Sequence, residues 1–170
     1  NGTDKNRATM ISCFSSADPT NPKGSWETRR ALTMPSGYYV WNTDAWAVSD
    51  PGSPDRRFIM SIETNVLTGS WTTIFAETSS ETPDRHWKLL DPKSYVVDLT
   101  RMNACPSVRF FDGWYFIATT TSGDICPQAG WANSTALCVI VYRSQTLKAG
   151  SWEMGNSGKP VIFPGEDDRR

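Results

Sequence analysis

Short apolar runs with strand character, some broken by single polar positions, recur through the whole chain: TMISCF at 9–14, FIMSI at 58–62, TIFA at 73–76, SVRFF at 107–111, WYFI at 114–117 and CVIVY at 138–142. Clusters of Gly, Pro, Asp and Ser separate them, as expected for strands joined by turns. No segment keeps the 3.6-residue period of an amphipathic helix. One turn is explicit: in FFDGWYF, Asp112 and Gly113 stand between two aromatic arms. A type I′ hairpin needs positive φ at both central residues, which Asp and Gly tolerate. The pattern predicts an all-β chain.

The strands also repeat. Gly-Ser-Trp occurs at 24–26, 69–71 and 150–152, but the intervals of 45 and 81 residues are too uneven for one unit. Replacing the second Trp by Trp87 restores a period. ATMISCFSSADPTNPKGSWETRR, TTIFAETSSETPDRHWKLLD and LCVIVYRSQTLKAGSWEMGN then each read strand, Ser-containing turn, polar loop, Trp, strand, with Trp26, Trp87 and Trp152 spaced 61 and 65 apart. A second landmark keeps step, because Asn42 follows Trp26 by 16 residues and Asn103 follows Trp87 by 16. A unit of about four strands repeated in this way is a propeller blade. A β-sandwich with coincidental spacing is the competing arrangement.

On the propeller reading, the chain is a single partial domain over 1–170, made of a blade end (1–40), a blade (41–101) and a blade (102–167). The next innermost strand is expected about 16 residues after Trp152, at Asp168, close to the end of the sequence at Arg170. Closed propellers use roughly 4–8 blades, so about two and a half blades leave open edges. Another chain or segment is therefore expected to complete a five-bladed ring. Arg169-Arg170 reads either as a dibasic processing site or as the arbitrary end of a fragment.

Composition narrows the partners. With 38% hydrophobic and 12% aromatic residues in 170, the chain can build a real core. A net charge of −1 with scattered charged residues offers no footprint for nucleic acid or an anionic membrane. No apolar run approaches ~18 residues, so no membrane span is expected, and the opening NGTDKNR is not a signal peptide. Asn1-Gly2-Thr3 and Asn133-Ser134-Thr135 fit the glycosylation acceptor pattern. Cys126 and Cys138 bracket a polar loop that a disulfide would close, while Cys13 and Cys105 read equally as two buried thiols in strands or as a second bridge. These features point to a secreted glycoprotein.

The runs NACPSVRFFDGWYFIATTT and VIVYRSQTLKAGSWEMGNSGKPVIFPGEDD, with WNTDAWAVSDPGSPDRRFIMSIET before them, resemble the five-bladed β-propeller glycoside hydrolase superfamily, which includes families 43, 32, 68 and 117. The resemblance covers most of the chain from Trp26 onward. It rests on blade-forming motifs: Cys-Pro, strand, Asp-Gly, aromatic strand, then Arg-Ser and Trp-Glu. It implies an oligosaccharide or polysaccharide ligand in a central pocket.

Glycosidic hydrolysis uses two carboxyl groups flanking the bond. In a propeller they come from inner strands that converge on the axis. The candidates are Asp44 as base, Glu63 as acid or as a tuner of another carboxylate, and Asp168, with Asp167 as its neighbour. Trp41, Asn42 and Trp46 stand around Asp44 and are placed with Asn103, the repeat counterpart of Asn42, as ligand-binding residues. Against catalysis, Cys105 stands at the repeat position of Asp44, and Ala104 stands where the related invertase-like families carry Glu. A propeller that only binds carbohydrate, or only makes structural contacts, is thus the alternative. No cofactor is expected. The lone His86 is read as structural, the four cysteines lack zinc spacing, and Asp50 and Asp55 could at most hold a structural Ca²⁺, since their spacing matches no loop motif.

Overall fold

The computed structural model describes residues 9–16, 18, 20–21, 26–48, 57–64, 71–79, 86–122, 126 and 137–161. They form ten strands and one 3₁₀ turn, Asn156–Gly158, so the chain is all-β. β1 (Met10–Ser15) pairs with β2 (Glu27–Thr33). β3 (Thr43–Ala47), β4 (Phe58–Thr64), β5 (Thr72–Thr78) and β6 (Lys88–Leu89) form a second sheet in that order. β7 (Ala104–Phe111), β8 (Trp114–Ser122), β9 (Leu137–Ser144) and β10 (Glu153–Met154) form a third. Every pairing is antiparallel.

Strand periodicity decides how the sheets stack. Side chains of successive residues point to opposite faces, so β4 and β5 can serve two cores. Met60, Ile62, Ile74 and Ala76 join Ala31 and Leu32 of β2, with Ile11 and Cys13 of β1 packed against them. The intervening residues Ile59 and Phe75 join Val108, Ile117, Ile140 and Tyr142 of the third sheet. The middle sheet is therefore covered on both faces, by the β1–β2 hairpin on one and by β7–β10 on the other. Full burial of each large aliphatic or aromatic side chain contributes about 1.5–3 kcal/mol, and Ile59, Ile62, Ile74, Phe75, Ile117 and Ile140 are all at 0% exposure.

The Asp-Gly turn is where the pattern puts it. Phe111 pairs with Trp114, so the loop is Asp112-Gly113 alone, at φ 49° and 77°. A β-carbon at Gly113 would meet nothing within 4 Å, so backbone conformation, not crowding, is what favours glycine there.

The repeat landmarks occupy matching places. Trp26, Trp87 and Trp152 each stand one residue before the last strand of their sheet, and Asn42 and Asn103 each stand one residue before the first strand of theirs. Trp71, from the remaining Gly-Ser-Trp, stands instead just ahead of β5. Trp152 also ties two sheets together by stacking on Phe75, with ring centroids 5.7 Å apart and planes 13° from parallel. No helix among the described residues is long and apolar enough to cross a membrane.

Candidate functional site

The first strands of the second and third sheets, β3 and β7, lie against each other. β7 is an edge strand, bonded to β8 on one side only. A buried or half-buried edge amide needs an acceptor, and here carboxylates from the middle sheet provide it. Asp44 Oδ2 accepts from the backbone amide of Val108 at 2.9 Å, from Ser107 Oγ at 3.0 Å and from Arg109 Nη1 at 2.7 Å. Glu63 Oε2 accepts from the backbone amide of Cys105 at 2.9 Å. Between these grips β7 carries a bulge, with the register shifting between Ala104 and Ser107 and Cys105 at φ 50°. Pro106 lies inside it and has no amide to satisfy, which suits an edge strand at a bulge.

Strand register puts both acids on one face. Asp44 pairs with Ser61, and Glu63 lies two residues beyond Ser61, opposite Asn42, to whose carbonyl the Glu63 backbone N–H donates at 2.8 Å. Asp44 and Glu63 are thus diagonal neighbours, a relation that spaces side chains by about 7–8 Å. Trp46 pairs with Ile59, whose side chain lies in the core shared with the third sheet, so Asn42, Asp44, Trp46, Ser61 and Glu63 all share the face that looks toward β7.

The two acids differ in surroundings. Glu63 is 5% exposed, and burial raises its pKa above the ordinary glutamate range, while the Cys105 amide pulls partly the other way. Asp44 keeps about a third of its side chain open and is ion-paired with Arg109. Its Oδ1 has no hydrogen-bond partner among the described residues. The Arg109 guanidinium also donates from Nη1 to the Val108 carbonyl at 2.5 Å and lies 4.3 Å above the centre of the Trp46 ring. Cation–π contact and ion pair together hold this guanidinium over the indole.

The aromatic residues expected to meet a ligand are open. Trp41 is 46% exposed and Trp46 40%, and Trp41 rests edge-on against Trp71 at 4.7 Å. Asn42 is exposed, with its Oδ1 accepting from the amide of Thr43 at 2.9 Å. Its counterpart Asn103 is fully buried. Asn103 Nδ2 donates to the carbonyls of Asp98 and Arg101, at 2.9 and 2.7 Å, and its backbone binds Trp71 and Thr73, which fixes the entry into β7.

Cys126 and Cys138 form the disulfide, with Cα atoms 5.5 Å apart, whereas Cys13 and Cys105 are both thiols and Cys105 is exposed. His86 is exposed at φ 61°, one residue before the buried Trp87. Among the described residues no group of three or more His, Cys, Asp or Glu side chains could hold a metal ion. Asp167, Asp168, Asn1, Asn133, Asp50 and Asp55 lie outside the described residues.

Arg109 and Ser107 went unmarked in the sequence. The alternation of SVRFF gives Arg109 an outward position on β7 but not its partner, which comes from a different sheet 65 residues away in the chain. Comparison with known protein families and with curated proteins returns no match.

Proposed function

We propose that this chain is part of a five-bladed β-propeller of glycoside hydrolase type, and that the face formed by β3, β4 and the edge of β7 takes an oligosaccharide. The observation that carries the reading is the placement of Asp44 and Glu63 on one face, both gripped by β7 and flanked by the exposed Trp41 and Trp46. In hydrolysis Glu63, whose pKa burial raises, would donate its proton to the leaving glycosidic oxygen. Asp44, through the oxygen not engaged by β7, would orient and deprotonate the attacking water. The tryptophan faces would stack on sugar rings.

The stacking of sheets supports the propeller part. Two four-stranded antiparallel meanders follow a hairpin, each laid face to face on the next, and the first strands of both meanders are adjacent. Their matching Asn and Trp landmarks begin the first strand and the last strand respectively. A further chain or segment would supply the remaining blades.

A non-catalytic, carbohydrate-binding propeller is the second reading, and a specific observation favours it: Asp44 spends Oδ2 on three donors, while β7 offers Ala104 and Cys105 where a further inner-strand acid would stand. Release of reducing ends from a panel of oligosaccharides, with Asp44→Asn and Glu63→Gln alongside the parent, separates the two. Turnover that falls at least a hundredfold in either variant, with binding retained, is expected of the enzyme. Binding without turnover in the parent is expected of the lectin-like module, and absence of both would falsify the carbohydrate reading. Native mass spectrometry of the purified material tests the ring: a second chain is expected, and a lone 19.0 kDa species would count against a completed propeller.

A further inference from the structure

Resting on that reading, we infer that the sugar taken by this site carries an anionic group, a uronate carboxylate or a sulfate ester, and that Arg109 is the residue that selects it. An arginine side chain has five N–H donors, of which Nε and one Nη2 hydrogen form the side-on fork that matches two oxygens of an oxyanion. Asp44 and the Val108 carbonyl both bind Nη1. The fork edge of Arg109, with Nε and Nη2, has no partner among the described residues, and the side chain is 48% exposed.

The guanidinium is also held in place before any ligand arrives. Asp44 fixes one end, the guanidinium carbon lies 4.3 Å from the centre of the Trp46 ring, and the bulged β7 fixes its root. An arginine restrained in this way loses little side-chain freedom on binding, so its hydrogen bonds translate into affinity more fully than those of a mobile surface arginine. A neutral sugar can also hydrogen-bond to a guanidinium, but only an oxyanion meets both its charge and its fork geometry. The exposed part of Trp46, beside the guanidinium, suits a pyranose ring whose substituent reaches Arg109.

The test uses the full chain and three tetrasaccharide probes: tetragalacturonate, its carboxyl-reduced neutral counterpart, and a sulfated galactose tetramer. Affinities are read by isothermal titration at low salt and at about 0.3 M salt. An anionic probe is expected to bind about tenfold more tightly than the neutral one, with the advantage shrinking in salt, and which anionic probe wins identifies the group as carboxylate or sulfate. Arg109→Gln should abolish the advantage, and a circular dichroism spectrum and urea midpoint close to the parent's report that the variant is folded. Arg109→Lys, which cannot fork, should keep only part of it.

Equal affinity for all three probes would overturn the inference and leave the carbohydrate reading standing. An anionic preference that survives Arg109→Gln would overturn the assignment to Arg109. No binding of any probe would overturn both.

Discussion

The middle and last sheets are built alike, four antiparallel strands with a two-residue final strand, yet they are buried differently. In β4 every residue from Ile59 to Thr64 is buried, whereas β8 and β9 alternate, with Tyr115, Ile117, Ile140 and Tyr142 inside and Phe116, Ala118, Val139 and Val141 only half covered. Register joins those half-covered residues into one face, since Ala118 pairs with Val141 and Thr120 with Val139. A sheet with neighbours on both sides becomes continuous core, and a sheet with one neighbour among the described residues keeps an apolar, half-covered face.

The sharpest way to break the comparison is truncation on each sheet. Phe75→Ala in β5 removes a fully buried ring that also stacks on Trp152, and a loss of about 3–5 kcal/mol is expected in urea unfolding. Val141→Ala on the open face of β9 should cost under about 1 kcal/mol in the isolated chain. Comparable losses at the two positions would mean that the face of the last sheet is covered after all. The disulfide comes next. Cys126→Ala with Cys138→Ala frees the start of β9 from a closure spanning 12 residues, and a loss of roughly 3 kcal/mol is expected on thermal unfolding.

The same contrast shows what was readable beforehand. β8 and β9 were legible as short aromatic and β-branched runs, WYFI and CVIVY, although their alternation of burial is not written in the residue types. FIMSIET was also readable as a strand, since it is apolar, short and bounded by turn residues. The Asp112-Gly113 turn and the Trp landmarks were legible because each depends on local chain geometry. The clamp between sheets was not. Asp44 was marked as a carboxylate near an inner strand, but its bond to Arg109 depends on how β3 meets β7, a relation no local period encodes. Asn42 and Asn103 make the limit clear: equal offsets place both before a first strand, yet one is exposed and the other wholly buried.

The clamp itself supplies a mid-sized effect. Asp44→Asn keeps the shape but weakens three hydrogen bonds to β7, and a loss of about 1–2 kcal/mol is expected in urea unfolding, discounted for a side chain that is partly open. A double-mutant cycle with Arg109→Gln should give a coupling below about 1 kcal/mol, because that partner is half exposed and salt screens the pair. If the cycle instead returned the whole loss, the Val108 amide and Ser107 hydroxyl would contribute nothing to holding the sheets together.

The smallest effect is the most informative about chemistry. Burial raises the pKa of Glu63, so the folded state holds its proton to higher pH than the unfolded chain does. The stability this group contributes is therefore present below the unfolded glutamate pKa and is lost as pH rises through the folded one. At neutral pH the ionised, buried carboxylate is a net cost, only partly offset by the Cys105 amide. Glu63→Gln retains an acceptor for that amide and removes the charge. It should raise Tm at pH 7 by a few degrees at most, given that about 1 kcal/mol corresponds to roughly 2–4 °C in a domain of this size. The gain should shrink toward zero as pH falls through the glutamate range. The reverse trend, a variant less stable at pH 7 than the parent, would mean that Glu63 is held ionised by partners stronger than the Cys105 amide, and an acid that cannot keep its proton cannot give one to a leaving sugar.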